Sequence, residues 1–337
     1  RAMSAADLFF SKESIFGSCK DRIKNLEEVQ VLLNGESVKL FGESREKCNA
    51  LITFSKQFLP MYVLSNRYPQ KRAFITGAGS GLGRALAMAL AKDGWTIGLA
   101  DNQPKLIQET EGLVLAAGGK ALPFSLDVSD KDQYKEIAQQ FVHLTGGIDV
   151  LFNNAGVGDG SPFEEYSLEN YEWMVGINQM GVLYGCWYFI PVMKKQGYGH
   201  ILNTASAAAI SCAPTMGGYN MTKAAVVAIS ETLYSELFDA GIHVSCIQPT
   251  YFRTNIANSV RGGAITEKIT RKFIEKSGLE AADVANEILI RAGKKELYII
   301  LPKAAVTMWK LKRLAPTWFR LKVKDQFMKA MHKALSK

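Results

Sequence analysis

The sequence predicts an α/β fold: a doubly wound parallel sheet of about seven strands, preceded by a helical extension and followed by a basic helical tail. Three observations carry this. From Arg72 onward, short apolar β-rich runs alternate with longer segments of helical periodicity, the order that builds a parallel sheet covered on both faces. A glycine-rich turn, Thr76 to Gly83, stands between the first run and the first helical segment. The connections are short, and right-handed crossovers then place every strand's C-terminal end on one rim, where open α/β sheets bind ligands.

The predicted strands are Ala73 to Thr76, Thr96 to Ala100, Ala121 to Ser125, Val150 to Asn153, His200 to Thr204, His243 to Gln248 and Leu297 to Leu301. Between them, Leu82 to Lys92, Lys131 to Leu144, Tyr171 to Lys194, Tyr219 to Asp239 and Ala281 to Ala292 repeat apolar residues at three- and four-residue steps and read as helices. The uncharged run Trp173 to Met193 is long enough to span a bilayer, but Asn178, Gln179 and Pro191 interrupt it, so it reads as a buried helix. Residues 71–302 thus form one sheet domain. Residues 1–70 lack the alternation and read as an accessory helical region. One helix is expected near Ile23 to Leu33, and another carries Cys48, Leu51, Ile52, Phe58 and Leu59 before Pro60.

Composition narrows the function classes. The five cysteines have no C-x-x-C spacing and the four histidines lie far apart, so neither a disulfide framework nor a metal is expected. No charged-then-apolar secretory pattern opens the chain, and a reducing cytoplasm fits best. The net charge of +8 is uneven: residues 303–337 hold ten Lys or Arg and one acidic residue, leaving the remainder nearly neutral. In that tail, Val323, Phe327, Met331 and Leu335 recur every four residues, Lys322, Lys329 and Lys333 fall opposite, and Trp309, Trp318 and Phe319 add aromatics. Such a helix suits the surface of an anionic membrane, to which the chain would attach peripherally, or docks its apolar stripe on protein. The interleaving of basic and apolar residues argues against nucleic acid.

The glycine turn brings backbone close to a pyrophosphate at a positive helix end. Gly77, Ser80, Gly81, Leu82 and Gly83 would form that cradle, and the sheet is then of Rossmann type. Asp101, at the end of the second strand, sits where a carboxylate accepts from ribose hydroxyls and repels a 2′-phosphate. Asn102 follows it rather than a cation, so NAD is favoured over NADP. Asp127, beside Val128, could meet the adenine edge or serve a turn. Tyr219 and Lys223, four apart on one helical face, would bring an ammonium near a phenol and lower its pKa toward that of a general base. Ser206 ends the preceding strand.

Together, Thr76 to Gly83, Asn153-Asn154-Ala155-Gly156, Ser206 and Tyr219-Asn220-Met221-Thr222-Lys223 resemble the short-chain dehydrogenase/reductase family over about Arg72 to Pro302, and the glycine spacing resembles its shorter-chain oxidoreductase subgroup. The resemblance implies hydride exchange between a nicotinamide and a secondary alcohol or ketone. Tyr219 would move the proton, Ser206 hold the substrate oxygen, and Lys223 bind nicotinamide ribose. Asn178 would support a water-linked relay, Asn154, Ala155 and Gly156 would wall the cofactor, and Thr254, after Pro249, would meet the carboxamide. Thr250 stands where the family often has glycine. The resemblance also implies a homodimer or homotetramer built on the helices of Tyr171 and Tyr219, while Ala207 to Ala209 and the apolar residues of Tyr251 to Phe273 suggest a lipophilic substrate. A non-catalytic dinucleotide sensor and a membrane- or partner-bound scaffold are the competing classes.

Overall fold

The computed structural model describes residues 30–34, 37–41, 64–254, 261 and 271–335, with residues 30–34, 37–41 and 330–335 described through their backbone alone. The chain divides into two units, Arg1–Leu59 and Pro60–Lys337. In the first, β1 (Gln30–Asn34) and β2 (Ser37–Phe41) pair antiparallel, with Asn34 opposite Ser37. This corrects the helix expected to run to Leu33. The two residues between the paired ends, Gly35-Glu36, begin with glycine, as favoured hairpin connections do, and Val31 and Val38 suit strands. The helix expected around Cys48 to Leu59 lies outside the described residues.

The second unit carries seven parallel strands in the order β5-β4-β3-β6-β7-β8-β9. In chain order these are β3 (Arg72–Thr76), β4 (Thr96–Asp101), β5 (Lys120–Ser125), β6 (Val150–Asn153), β7 (Gly199–Thr204), β8 (Ile242–Pro249) and β9 (Tyr298–Leu301). Each lies within about a residue of its expected position. The chain winds from β3 outward through β4 to β5, then returns to place β6 on β3's other side. That reversal opens a crevice at the carboxyl ends of β3 and β6.

Helices cover both faces. On one lie α1 (Gly81–Ala91), α2 (Pro104–Ala116) and α8 (Ala281–Gly293), which bury Leu86, Leu90, Val114, Ile288 and Leu289 against the sheet. Leu64 and Tyr68 join this layer, so the packed unit begins before residue 71. On the other face lie α3 (Lys131–Thr145), α5 (Gly181–Gln196) and α7 (Gly217–Glu236). There Phe74 meets Phe141 and Phe189, each at a ring-centroid distance of 5.1 Å. α4 (Leu168–Val175) leads into α5 through one π-helical stretch, Gly176–Met180, and α6 (Ala208–Ser211) is a single turn after β7. The run Trp173 to Met193 is helical as expected but only half buried: Trp187 is 72% exposed. No helix among the described residues is long and apolar enough to cross a membrane.

The tail forms α9 (Lys303–Leu314) and α10 (Pro316–Leu335). Through their described residues the two helices dock on the sheet domain. Phe319 is 5% exposed among Ile210, Ile300 and Ala305, with Val323 against the same cluster. Trp309 packs on Tyr298 at 5.3 Å. Of the three aromatics read as interfacial, only Trp318 remains exposed. The side chains of Met331 and Leu335 lie outside the description.

An imidazole pair, His200 buried and His243 half-buried, spans β7 and β8. His200 is opposite His243 in the register, and its Nε2 shares a 2.9 Å hydrogen bond with Ser245 Oγ. Burial pushes His200 down to about 3, with His243, itself at about 4, adding to the effect. Both lie below the 6.5 of a free imidazole. Between those values the unfolded chain therefore binds protons that the folded chain refuses, and stability present above pH 6.5 is lost as pH falls through the window. Melting should drop as pH is lowered from about 7 to about 4.5, with His200 contributing at most about 1.4 kcal/mol per pH unit. His200→Gln should flatten that slope in a pH series of thermal melts; an unchanged slope would contradict the assignment.

Candidate active site

The crevice holds a cavity of about 710 Å³ that runs from Asp101 and Leu106 past Ser206 and Tyr219 to Met308 and Phe327. Its first half is built by backbone. Gly77 and Gly81 adopt φ of +65° and +51°, which only glycine takes without strain. At Gly83 a Cβ would stand 2.1 Å from the Gly77 carbonyl oxygen, so this glycine sets how closely α1 approaches the turn. The N-terminus of α1 thereby faces the cavity, flanked by Ser80, Gly81 and Leu82. Such a cradle, which side chains would fill, fits a pyrophosphate.

Asp101 closes one end. Its carboxylate accepts from Gly79 N at 3.0 Å and Gln103 N at 3.1 Å, which fixes the group beside the turn. The nearby cation Arg84 is already engaged, donating to the Gly79 carbonyl and Thr110 and pairing with Glu109 at 3.0 Å. Asp127 lines the cavity, but its Oδ1 takes Ser129 N–H and Oγ–H, so its turn role is realised. Val128 is buried beside it. Asn154 acts as a latch between β3 and β6. Its backbone N–H and that of Ala155 donate to Thr76 Oγ1, and its amide donates to the Thr76 carbonyl at 2.9 Å. Gly156 and Pro249 line the cavity, and Thr254 Oγ1 would be 2.8 Å from a Cβ on Gly81. Thr250 donates its N–H to the Leu301 carbonyl.

Ser206, Tyr219 and Lys223 come together on the cavity wall. A buried polar ladder sets the register of α7: Asn153 donates to Asn203 at 2.8 Å, Asn203 to Ser230 at 3.1 Å, and Ser230 to the Val226 carbonyl. Lys223 is 3% exposed and donates to the Thr204 carbonyl at 2.8 Å, with its ammonium 5.9 Å from the Tyr219 ring centroid. Burial lowers it to about 8. The Tyr219 phenol does not show the expected depression. Burial pushes it up to about 12, while its hydrogen bond with Ser206 pulls only partly the other way. The ammonium is turned to a carbonyl, and desolvation wins.

Two expected residues lie off the cavity wall: Gly83, which packs against the turn, and Asn178. Asn178 is fully buried in the π-helical stretch, where its amide brackets Val157 by accepting from N–H at 2.8 Å and donating to the carbonyl at 2.9 Å. It also donates to Thr222 Oγ1. Sequence reasoning missed Leu106, Ile177, Asp159 and Met308, all on the wall. None has a local signal, although the apolar stripe that includes Phe327 did mark that face. Much of the remaining lining is apolar: Val157, Met216, Phe252 and Ile274, with Tyr251 stacked on Phe273 at 5.2 Å. Among the described residues no cluster of three His, Cys, Asp or Glu could hold a metal.

Comparison with known proteins agrees with this fold. The family described as short chain dehydrogenase matches residues 71–264. The chain belongs to that family. A 2,5-dichloro-2,5-cyclohexadiene-1,4-diol dehydrogenase of Sphingobium indicum is 34% identical over 238 residues, covering 70% of this chain and 94% of that protein. A short-chain dehydrogenase/reductase of Burkholderia phymatum, solved with NAD, superposes with a TM-score of 0.70 at 33% identity, covering 74% of this chain and 95% of that one. An alcohol dehydrogenase of Thermococcus sibiricus, solved with 5-hydroxy-NADP, gives 0.59 at 28% identity, covering 68% and 95%. The chain is thus a short-chain dehydrogenase/reductase that uses a nicotinamide dinucleotide.

Proposed function

We propose that this chain interconverts a lipophilic secondary alcohol and its ketone, with Tyr219, Ser206 and Lys223 as the reacting group and NAD as the preferred cofactor. The observation that carries this is the sharing of one cavity by Ser206, Tyr219 and the glycine cradle. Gly77, Gly81 and the α1 N-terminus would hold the pyrophosphate, Asp101 the ribose hydroxyls, and Lys223 and Thr254 the nicotinamide end. A bound nicotinamide supplies the hydride acceptor or donor. The Tyr219 phenol gives its proton to the ketone oxygen in reduction and, once it has lost that proton, its phenolate oxygen takes the hydroxyl proton in oxidation, while the Ser206 hydroxyl steadies the substrate oxygen as charge develops. A phenol near 12 is protonated at neutral pH and ready to donate to a ketone. Lys223, near 8, keeps most of its charge there. Asn178 holds the backbone at Val157 in place behind them.

Tyr219→Phe should cut turnover by roughly a hundredfold or more, because only the proton-transfer group is lost. NAD affinity, measured by calorimetry, should stay close to that of wild type; wild-type turnover would sink the assignment. The preference for NAD rests on Asp101 and on the engagement of Arg84 with Glu109. Asp101→Ala with Asn102→Arg should shift catalytic efficiency toward NADP, and an unmodified chain that favours NADP would contradict the reading.

Two further parts of the proposal concern surfaces. A homodimer or homotetramer is supported by Trp187, 72% exposed, and Leu183, 38% exposed, on α5. Peripheral contact with an anionic membrane is supported by exposed Leu314, Trp318 and Leu321 beside Lys310, Lys322 and Lys324 on the docked tail. Sedimentation with and without anionic vesicles tests both. A monomer removes the first, and a chain that stays in the supernatant at low salt removes the second.

A further inference from the structure

The family match ends at residue 264, yet the last two helices return to the cavity. They are fastened to α6, the single turn that begins two residues beyond Ser206. Arg320 donates through Nη2 to the Ile210 carbonyl at 2.9 Å and through Nη1 to that of Ser211, and Lys312 Nζ donates to the Ala209 carbonyl at 2.9 Å. These are the orphan acceptors of a helix C-terminus, which cations satisfy well. Phe319, packed on Ile210 and Ala305, seals the joint.

This docking brings Met308 of α9 and Phe327 of α10 onto the wall of the cavity that holds Ser206 and Tyr219. Both are half-buried. The tail carries ten basic residues, yet among its described residues only these two uncharged ones line the cavity. Lys312 and Arg320, which reach α6, are spent on carbonyls. A wall so chosen suits hydrocarbon and offers nothing to an anionic group.

We propose that Met308 and Phe327 form an apolar subsite for the hydrocarbon part of the substrate that extends away from the carbinol carbon. The tail, an addition to the family core, then selects alcohols and ketones bearing a chain or ring over small ones. The inference rests on the alcohol–ketone reading above. Each methylene that enters the subsite strengthens transition-state binding by about fourfold.

The test compares full-length wild type, Met308→Ala with Phe327→Ala, and Phe327→Trp. Two readouts are taken: turnover of the straight-chain alcohols from 2-butanol to 2-decanol with NAD and with NADP, and calorimetric binding of 2-butanone and 2-decanone with cofactor present. In wild type, kcat/KM rises with chain length. In the double variant the 2-decanol to 2-butanol ratio falls by about tenfold or more, and in Phe327→Trp the preferred chain becomes shorter. A length profile that is flat in wild type, or the same in wild type and Phe327→Trp, overturns the subsite; the latter comparison holds even if the double variant does not fold. If no alcohol is turned over with either cofactor, the alcohol–ketone reading falls. The subsite then stands if the variants weaken 2-decanone binding relative to 2-butanone, and falls if they do not.

Discussion

The cleft depends on one constraint: β3 must pair in parallel with β4 on one side and with β6 on the other. Because successive crossovers keep one hand, the connections leaving these two edges diverge, and the rim between them cannot close. Thr76, the last residue of β3, converts this topology into a site. Its hydroxyl accepts from Asn154 and Ala155, its carbonyl accepts from the Asn154 amide, and the glycine turn follows at once. The segments that would hold a cofactor on its two sides are thus tied to the same strand end. Gly83 then fixes the spacing of α1 against the turn, since even a methyl group would strike the Gly77 carbonyl.

The reacting side chains hang on the same frame. The ladder from Asn153 through Asn203 to Ser230 crosses from β6 and β7 to α7, and a shift of α7 along its axis would leave those amides unpaired in the interior. Tyr219 and Lys223 are therefore held at fixed depth, both buried. Burial drives each toward its neutral form, the phenol to about 12 and the ammonium to about 8. The pair is poised against charge, and chemistry there requires that a developing charge be met by a partner inside the cavity.

Much of this was legible in the sequence because it rests on local patterns. The apolar runs of the seven strands located each within about a residue, and the glycine turn and the Tyr219–Lys223 interval marked groups that do meet on one wall. Other features were not legible because they depend on what packs where. The π-helical stretch at Asn178 leaves the apolar pattern continuous, so periodicity passes over it. The depression expected for the Tyr219 phenol assumed that Lys223 would point at it, whereas the ammonium found the Thr204 carbonyl. The tail's stripe announced an apolar face but not its partner: Phe319 packs against Ile210 and Ala305, and Phe327 lines the cavity. The β1–β2 hairpin was passed over although Gly35 signals a turn, because the apolar residues around Ile23 to Leu33 also fit a helical period.

The central claim is that Tyr219 exchanges a proton beside a bound nicotinamide, and titrating that phenol tests it most directly. The ultraviolet absorbance of phenolate, taken as the difference between wild type and Tyr219→Phe, follows this one group with and without NAD. Alone, Tyr219 should hold its proton to about 12. With saturating NAD, whose oxidised ring is cationic, it should release the proton at distinctly lower pH. A Tyr219 that titrates identically with and without NAD would contradict the account.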